Sequence, residues 1–492
     1  MRLVYAAILI AAFLSGCAST GDWSSDTPTK TNPRASKAAR VNLKKQSVST
    51  IYAPSSNLWI RIRDGFEMEP SNSPWEGEQL RLLTAKPEYV NRSMARSSRY
   101  LFYIVQEVNA RGMPTEIALL PFVESAFNPQ AKSGAKAMGI WQFMPATGKD
   151  FQLTQNIFRD ERRDVLQSTD AALDYLQRLH DQFGTWELAL AAYNWGAGNI
   201  AKAQKKNLAA GLPTDYESLQ LPKETRNYVP KLMAYRQIVL DPGAYGVTLP
   251  DLENHPYFVA VDVGSDIDVA LVIKLAEIPA EEFHVLNSSF NKPVILSAAG
   301  QQILLPFGHA EIFQENLKNY SKPLSSWTAV QVGKTESADQ TAKTLGVDPD
   351  VLRDVNGIPK GMRIKADSTV IIPRNSRRLG DISSNLADNA SLSLENPPPP
   401  PPPLPKCSKP TKGAKGSKAA KDSKCTPPKS DKDASKVASK GNSSVKTAST
   451  QHKSESTVVA IERLAIMYCS VCQQATAQAI EQEAVSQLAE AN

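Results

Sequence analysis

Residues 114–148, PTEIALLPFVESAFNPQAKSGAKAMGIWQFMPATG, combine a short apolar helix pattern, one acidic residue within it, and a loop of small residues. A helix beginning near Glu116 places four residues on one face at the spacing i, i+3, i+4 and i+7, namely Ile117, Leu120, Pro121 and Glu124. The first three are apolar, so the carboxyl of Glu124 is predicted to face the interior. Burial without a charged partner raises the pKa of a carboxyl, and a raised pKa suits a general acid at neutral pH.

A purely structural carboxylate, bonded to Ser125 or to nearby backbone amides, is the alternative interpretation of Glu124. Pro121 cannot donate a backbone hydrogen bond, so a kink is predicted just before Glu124. After Pro129 ends the helix, the small residues of 133–139 indicate a loop that another chain could approach closely.

Two further helices are predicted downstream. The first has candidate N-caps at residues 168–170 and ends at Gly184, and the second runs from Trp186 to about Tyr193 after the N-cap Thr185. Tyr193 and Asn194 therefore come at a helix end, where side chains can project into a groove. The alternative for Tyr193 is an ordinary core aromatic.

The chain contains three short motifs in this order: Glu124-Ser125, Gly139-Ile140-Trp141-Gln142, and Ala192-Tyr193-Asn194. Together they resemble the signature motifs of the lytic transglycosylase domain shared by soluble lytic transglycosylases and goose-type lysozymes. The details are most similar to the membrane-bound lytic murein transglycosylase D family. Residues 224–229, ETRNYV, resemble the last motif of that family, in which a tyrosine, here Tyr228, points at the catalytic carboxyl.

The resemblance implies a mainly α-helical, lysozyme-like catalytic domain that cleaves the MurNAc-GlcNAc β-1,4 bond of peptidoglycan without water. Glu124 would act first as acid and then as base, giving 1,6-anhydro-MurNAc ends. The other implied substrate-binding residues are Ser125, Gln142, Tyr193, Asn194 and Tyr228. The resemblance implies no cofactor and no metal.

Two other functions remain open from the sequence. A muramidase would use water and release a reducing end, but it needs a second carboxylate, and none lies at a comparable position. A non-catalytic protein could instead hold peptidoglycan to a membrane, although a binding protein gains nothing from a carboxyl on an apolar helix face.

Residues 255–375 contain two copies of a strand-helix-helix-strand pattern. The copies end alike, in LLP at 304–306 and IIP at 371–373, and each has an asparagine after its second helix, Asn287 and Asn356. The later copy resembles a LysM carbohydrate-binding module, and the earlier one a degenerate form of it. The later copy has GKTE at 333–336 where the family usually has GDTL.

Charge is distributed unevenly in the 492-residue chain. The formal net charge is +6, yet 13 lysines and four acidic residues lie between residues 405 and 455, so the basic character belongs to a tail. Basic and aromatic residues are not interleaved as a nucleic-acid surface requires, so no nucleic-acid partner is predicted. The tail could bind anionic envelope polymers, or simply keep the chain solvated.

The N-terminus carries a targeting signal. Arg2, the apolar run 3–14 and LSGC at 14–17 resemble a lipoprotein signal, which implies cleavage before Cys17, lipidation of Cys17 and an anchor at the periplasmic face of the outer membrane. The alternative is an ordinary cleaved signal with an incidental cysteine. None of the other four cysteines lies between residues 18 and 406, and the CxxC at 469–472 has no second metal-ligand pair.

The fold class predicted is therefore multidomain: a mainly α catalytic domain, two small α+β modules and a disordered basic tail. The predicted domains are a signal peptide at 1–17, a tether at 18–55, the catalytic domain at 56–245, LysM-like modules at 255–310 and 325–375, a Pro/Lys-rich linker at 376–457 and a helix-favouring segment at 458–490.

Overall fold

The computed structural model describes residues 56–70, 73–375 and 380–397. The predicted signal peptide with Cys17, the tether and the tail from residue 398 onward lie outside these ranges. Within the described ranges, no helix has both the length and the apolar character needed to cross a bilayer.

The N-terminal part of the described chain is helical, as predicted. Its α-helices are α1 Leu58–Asp64, α2 Pro74–Thr84, α3 Pro87–Ser97, α4 Leu101–Ala110, α5 Leu120–Ser125, α6 Pro145–Asp150, α7 Val165–Phe183, α8 Trp186–Trp195, α9 Ala197–Ala209, α10 Lys223–Arg226 and α11 Tyr228–Leu240. Helices α7, α9, α10 and α11 pack against α8, in which every residue from 188 to 192 is buried. A helix that is apolar on all sides belongs at the centre of a bundle.

The two helices predicted downstream of the motif region are present, and one begins earlier than predicted. Thr185 caps α8 through the Leu188 amide, and Gly184 ends α7 in the left-handed region at φ 83°, as expected. The predicted N-cap of α7 at 168–170 is wrong. Asp164 caps it instead by accepting from the amides of Leu166 and Gln167, which adds a turn before the apolar pattern begins.

The helix carrying Glu124 is shorter than predicted. Residues Thr115–Leu119 form a 3₁₀ helix, and α5 begins at Leu120, so Pro121 occupies the first turn, where its missing N–H costs nothing. Pro121 therefore starts a helix rather than kinking one. After Ser125, both Ala126 (φ 51°) and Phe127 (φ 56°) take left-handed conformations and turn the chain sharply.

The first module follows the predicted order. It comprises β1 Phe258–Asp262, β2 Ile267–Asp268, α12 Val269–Ala276, α13 Ala280–Leu286, β3 Val294–Ile295 and β4 Gln302–Pro306, and then a helix the sequence interpretation did not include, α14 Phe307–Lys318. β1 and β4 pair antiparallel, and β2 pairs with β3. Ala310 and Phe313 of α14 are buried in the core of this module.

The second module repeats the arrangement. It comprises β5 Trp327–Gln331, β6 Glu336–Ser337, α15 Ala338–Leu345, α16 Pro349–Asn356, β7 Arg363–Ile364 and β8 Thr369–Pro373, with β5 antiparallel to β8 and β6 to β7. The repeated asparagines have the same contacts in both copies. Each donates to two backbone carbonyls and accepts the amide of the last strand, Leu304 for Asn287 and Ile371 for Asn356.

The sequence interpretation ended the fold at Arg374, and this is wrong, because regular structure continues after it. Residues 380–397, here called the C-terminal segment, form α17 Ser384–Asn389 and β9 Leu394–Glu395, which adds a third strand to β6 and β7. Its buried residues Ile382, Ala387 and Ala390 join an apolar cluster with Phe158 of the helical domain. These short apolar contacts carry no periodic signal, so the pattern could not reveal them.

Candidate active site

Glu124 lies at the end of α5 and is half-buried. The hydroxyl of Tyr228, at the start of α11, donates a hydrogen bond to its Oε1. Loss of solvation on burial raises the pKa of Glu124 to about 7, against the partial opposition of the Tyr228 hydrogen bond and the charge of Lys231. A carboxyl with this pKa exchanges its proton readily at neutral pH, as acid and base catalysis both require.

Lys231 is a site residue that sequence reasoning missed. It lies one helical turn after Tyr228, and its Nζ donates to the backbone carbonyl of Val123 at 3.0 Å. Burial lowers the pKa of Lys231, while the charges of Glu124 and Glu224 oppose that shift. The three-residue spacing from Tyr228 to a lysine was the available signal.

Tyr193 lies near enough to Glu124 to be affected by its charge, although the Tyr193 hydroxyl makes its hydrogen bond elsewhere. Its hydroxyl donates to the carbonyl of Trp141 at 2.9 Å, and the negative charge of Glu124 contributes to the raised pKa of Tyr193. The ring of Tyr175 packs on Tyr193 with centroids 5.4 Å apart. Tyr193 is therefore fixed between the protein core and the site.

Ser125 does not bond to the Glu124 side chain. Its hydroxyl donates to the carbonyl of Ile140 at 3.0 Å and approaches that of Pro121 at 3.3 Å. The contact ties the end of α5 to residues 136–143, here called the motif loop. The alternative of a structural carboxylate held by Ser125 therefore finds no support.

Gln142 and Asn194 each make a hydrogen bond within the protein. Gln142, in the left-handed region at φ 49°, donates to the Gly139 carbonyl at 2.8 Å, which tightens the motif loop. Asn194 accepts from the hydroxyl of the buried Thr225 at 2.8 Å, which joins the end of α8 to α10. Thr225 was also not selected from the sequence.

The structure thus brings Glu124, Tyr228, Tyr193 and Lys231 together and places Ser125, Gln142 and Asn194 around them as supports. Cys17 lies outside the described residues. No three His, Cys, Asp or Glu side chains in the described part of the chain are grouped as metal ligands would be. The carboxyl of Glu124, with its pKa of about 7, is a group in this site that can both donate and accept a proton near neutral pH.

Comparison with known protein families identifies two regions of the chain. Residues 103–211 match the Transglycosylase SLT domain. Residues 257–322 match the LysM-like domain of lytic transglycosylase MltD, which covers the first module together with α14.

Curated relatives agree with these matches. The chain is 33% identical over 399 residues to membrane-bound lytic murein transglycosylase D of Escherichia coli (strain K12), covering 77% of this chain and 88% of that protein. It is 32% identical over 118 residues to the soluble lytic murein transglycosylase of the same strain, covering 23% of this chain and 18% of that protein. A solved 70 kDa soluble lytic transglycosylase from E. coli matches at 22% identity over 33% of this chain and 30% of that chain, with a TM-score of 0.24, too low for a detailed comparison.

The family matches and these relatives show that the chain is a lytic transglycosylase, an enzyme that cleaves peptidoglycan. The chain belongs to the membrane-bound lytic murein transglycosylase D family, since the match spans most of both proteins. The resemblance inferred from the three motifs is confirmed.

Proposed function

We propose that this enzyme cleaves the MurNAc-GlcNAc β-1,4 bond of peptidoglycan non-hydrolytically, with Glu124 as its only proton-transfer residue. The observation that supports this most directly is the half-buried carboxyl with a pKa of about 7, bonded through one oxygen to Tyr228. A carboxyl held near neutrality can give up a proton and take one back in the same turnover.

In the first step Glu124 acts as acid. Tyr228 donates to Oε1, so the proton of the neutral carboxyl lies on Oε2. Oε2 transfers it to the glycosidic oxygen as the bond from that oxygen to C1 of MurNAc breaks, and the GlcNAc hydroxyl leaves. Positive charge develops at C1, and the negative charge of the newly formed carboxylate stabilises it.

In the second step the same residue acts as base. The Glu124 carboxylate takes the proton of the MurNAc C6 hydroxyl while that oxygen bonds to C1. The product is a 1,6-anhydro-MurNAc end, and Glu124 is neutral again. No water is consumed, so a second carboxylate to activate water is unnecessary.

The surrounding residues have supporting roles in this proposal. Tyr228 and Tyr193 line the carboxyl and stabilise the developing charge, while Asn194 and Gln142 position the sugar. Ser125 orients Glu124 indirectly, by tying the end of α5 to the motif loop.

The experiment compares Glu124→Gln with Glu224→Gln on purified murein sacculi. Glutamine cannot transfer the proton, so Glu124→Gln is expected to lose about 10²–10⁴-fold in rate. Glu224 is exposed and is the nearby acid whose charge acts on Glu124. Its replacement should change the rate by less than about threefold, because the reaction needs no second carboxylate.

The products distinguish the competing functions. Mass spectrometry of released muropeptides should show anhydro ends, one water lighter than the reducing ends of a muramidase. Reducing ends together with loss of activity in Glu224→Gln would establish a hydrolase with two carboxylates. Sacculus binding without any released fragments would establish a non-catalytic anchor.

The location of the enzyme is part of the proposal. The membrane-bound relative and the LSGC sequence at 14–17 support lipidation of Cys17 and attachment to the periplasmic face of the outer membrane. Cys17→Ser should release the enzyme from the membrane fraction with its specific activity unchanged. Retention in that fraction would contradict the lipid anchor.

Both modules are proposed to bind glycan strands, and the basic tail to contact anionic envelope polymers. The family match at 257–322 supports the first module, and the repeated strand order and asparagine contacts support the second. Sacculus pull-down with and without residues 398–492 tests the contribution of the tail.

A further inference from the structure

Residues 158–164 of the helical domain, here called the bridging segment, lie against the first module. The module contributes residues 288–291, here called the module loop, which pair with this segment. The amide of Asp160 donates to the Ser289 carbonyl at 2.9 Å, and the amide of Asn291 donates to the Phe158 carbonyl at 2.8 Å.

Side chains reinforce this pairing. The Ser288 hydroxyl donates to the Arg163 carbonyl at 2.9 Å, and the Ser289 hydroxyl donates to the Asp164 carboxylate at 3.2 Å. Ser288 and Ser289 are both buried. Residues of the first module also enter the apolar core of the helical domain, so the module is docked rather than tethered.

The opposite side of the bridging segment holds the motif loop. Arg162 is buried and forms two parallel hydrogen bonds with Asp160, at 2.9 and 2.7 Å. Its remaining Nη1 donates to the carbonyls of Lys136 at 2.8 Å and Phe143 at 3.3 Å, the two ends of the motif loop. Asp160 thereby aims a rigid guanidinium at the loop.

Gly139 shows how closely the two segments approach. A Cβ built on Gly139 would lie 2.0 Å from the carbonyl oxygen of Arg162, and the φ of Gly139 is +82°. Only glycine permits this contact. From the motif loop, the carbonyls of Ile140 and Trp141 accept the hydroxyls of Ser125 and Tyr193.

We infer that Arg162 is a positioning residue for glycan cleavage, and that the docked first module holds the active site in order through it. The contacts run from the module loop to the bridging segment, through Arg162 to the motif loop, and from there to Ser125 and Tyr193 beside Glu124. The module therefore acts on the chemical step as well as on any glycan it binds. This inference rests on the proposed role of Glu124.

The test measures initial rates on isolated glycan strands with the full-length chain. Arg162→Met should lower kcat by about tenfold or more, with a smaller change in KM, because displacement of catalytic groups by about 1 Å is costly. Arg162→Lys should recover part of the loss, since it keeps a donor for the two carbonyls. Because methionine leaves Asp160 buried without its partner, Asp160→Asn/Arg162→Met serves as the folded alternative if the single variant unfolds.

A second variant, Ser288→Ala/Ser289→Ala, tests the role of the first module. It removes two hydrogen bonds of the module loop without changing the motif loop. It should lower kcat about threefold or more in the wild-type background and have little further effect when Arg162 is already replaced, because residues of one network are non-additive. The matched control is Arg99→Met. The hydrogen bonds of the Arg99 side chain within the described residues all go to Glu282 of the module, so the kcat of this variant should change less than about twofold.

Two results would overturn the inference. One is a folded Arg162 variant with wild-type kcat. The other is a combined serine and arginine variant whose loss of kcat equals the product of the two separate fold-losses. Failure of Glu124→Gln to lose activity would instead overturn the proposed function. Since that variant leaves the module loop and Arg162 untouched, the two failures are distinguishable.

Discussion

The pKa of Glu124 is decided by residues far apart in the chain. Its place on an apolar helix face was readable from the spacing between Ile117 and Glu124, and Tyr228 was found through its motif. The contact between Lys231 and Val123 joins residues 108 positions apart. The buried Glu116, which accepts two backbone amides and pairs with Arg236 at 3.1 Å, was likewise hidden. Local spacing cannot show partners from other helices.

Lys231→Met should move the pH dependence of cleavage. The positive charge of Lys231 lowers the pKa of Glu124, so its loss raises that pKa further. The acid form then persists to higher pH, and the alkaline limb of kcat/KM is expected to shift upward by about half a unit or more. Lys231→Arg, which keeps the charge, is the control. An unmoved or downward-shifted limb would contradict the electrostatic role of Lys231.

Glu124→Gln should stabilise the fold at alkaline pH. The folded-state pKa of about 7 exceeds the ordinary value of 4.5, so the folded state holds its proton more tightly. The contribution of Glu124 to the free energy of unfolding is therefore fully present below about pH 4.5. It is lost as pH rises through 7, which lowers the free energy of unfolding by at most about 3 kcal/mol. Glutamine stays neutral throughout.

Urea unfolding of both proteins at pH 4.5 and pH 8 measures this effect. The variant should be the more stable protein at pH 8, and the two should nearly coincide at pH 4.5. An equal difference at both pH values would assign the change to packing rather than to ionisation of Glu124.

At the scale of elements, the two modules were the most predictable part of the chain. The four strands and four helices that were predicted there lie within about two residues of their predicted bounds, because short amphipathic units with caps and turns are specified locally. The short strands β2, β3, β6 and β7 and the helix α14 were not predicted. The start of α5 was less predictable, since a 3₁₀ turn and an α-helical turn share nearly the same apolar spacing.

Asn356→Ala should weaken the second module. The Asn356 side chain accepts from the amide of Ile371 and donates to the carbonyls of Leu352 and Ile371. Its removal leaves these three buried backbone groups each short of one hydrogen bond. A loss of about 2–3 kcal/mol is expected. Hydrogen exchange followed by mass spectrometry should show faster exchange in β8, with β4 of the first module unaffected. Asn319→Ala, at an exposed helix end, is the control; equal exchange in both variants would refute the role of Asn356.

Gly139→Ala should reduce cleavage without removing any chemical group. The added methyl meets the Arg162 carbonyl at 2.0 Å, and φ +82° is strained for alanine, so the motif loop must shift. A fall of about tenfold or more in kcat is expected. Gly134→Ala is the matched control, because nothing lies within 4 Å of the added Cβ in the same region. Equal activities of the two variants would contradict close packing of the motif loop.

For the whole molecule, the unexpected feature is how the described parts are joined. Asp266 of the first module accepts from Arg374 after the second module and from the amide of Ile382 in the C-terminal segment. Asn156 of the helical domain donates to the carbonyl of Ala387 in the same segment. A sequence pattern marks units that fold locally, whereas these single polar contacts between units leave no periodic trace.

A chain ending at residue 375, where the sequence interpretation ended the fold, should be less stable than one ending at residue 397. The shorter chain loses β9, exposes the edge of β7 and uncovers the apolar cluster that contains Ile382 and Ala387. A decrease in Tm of about 5 °C or more is expected, which corresponds to roughly 1–3 kcal/mol for a protein of this size. The chain ending at residue 397 keeps β9 and these cluster residues, so it is the matched comparison. Equal Tm values for the two shortened chains would mean that the C-terminal segment adds nothing to stability.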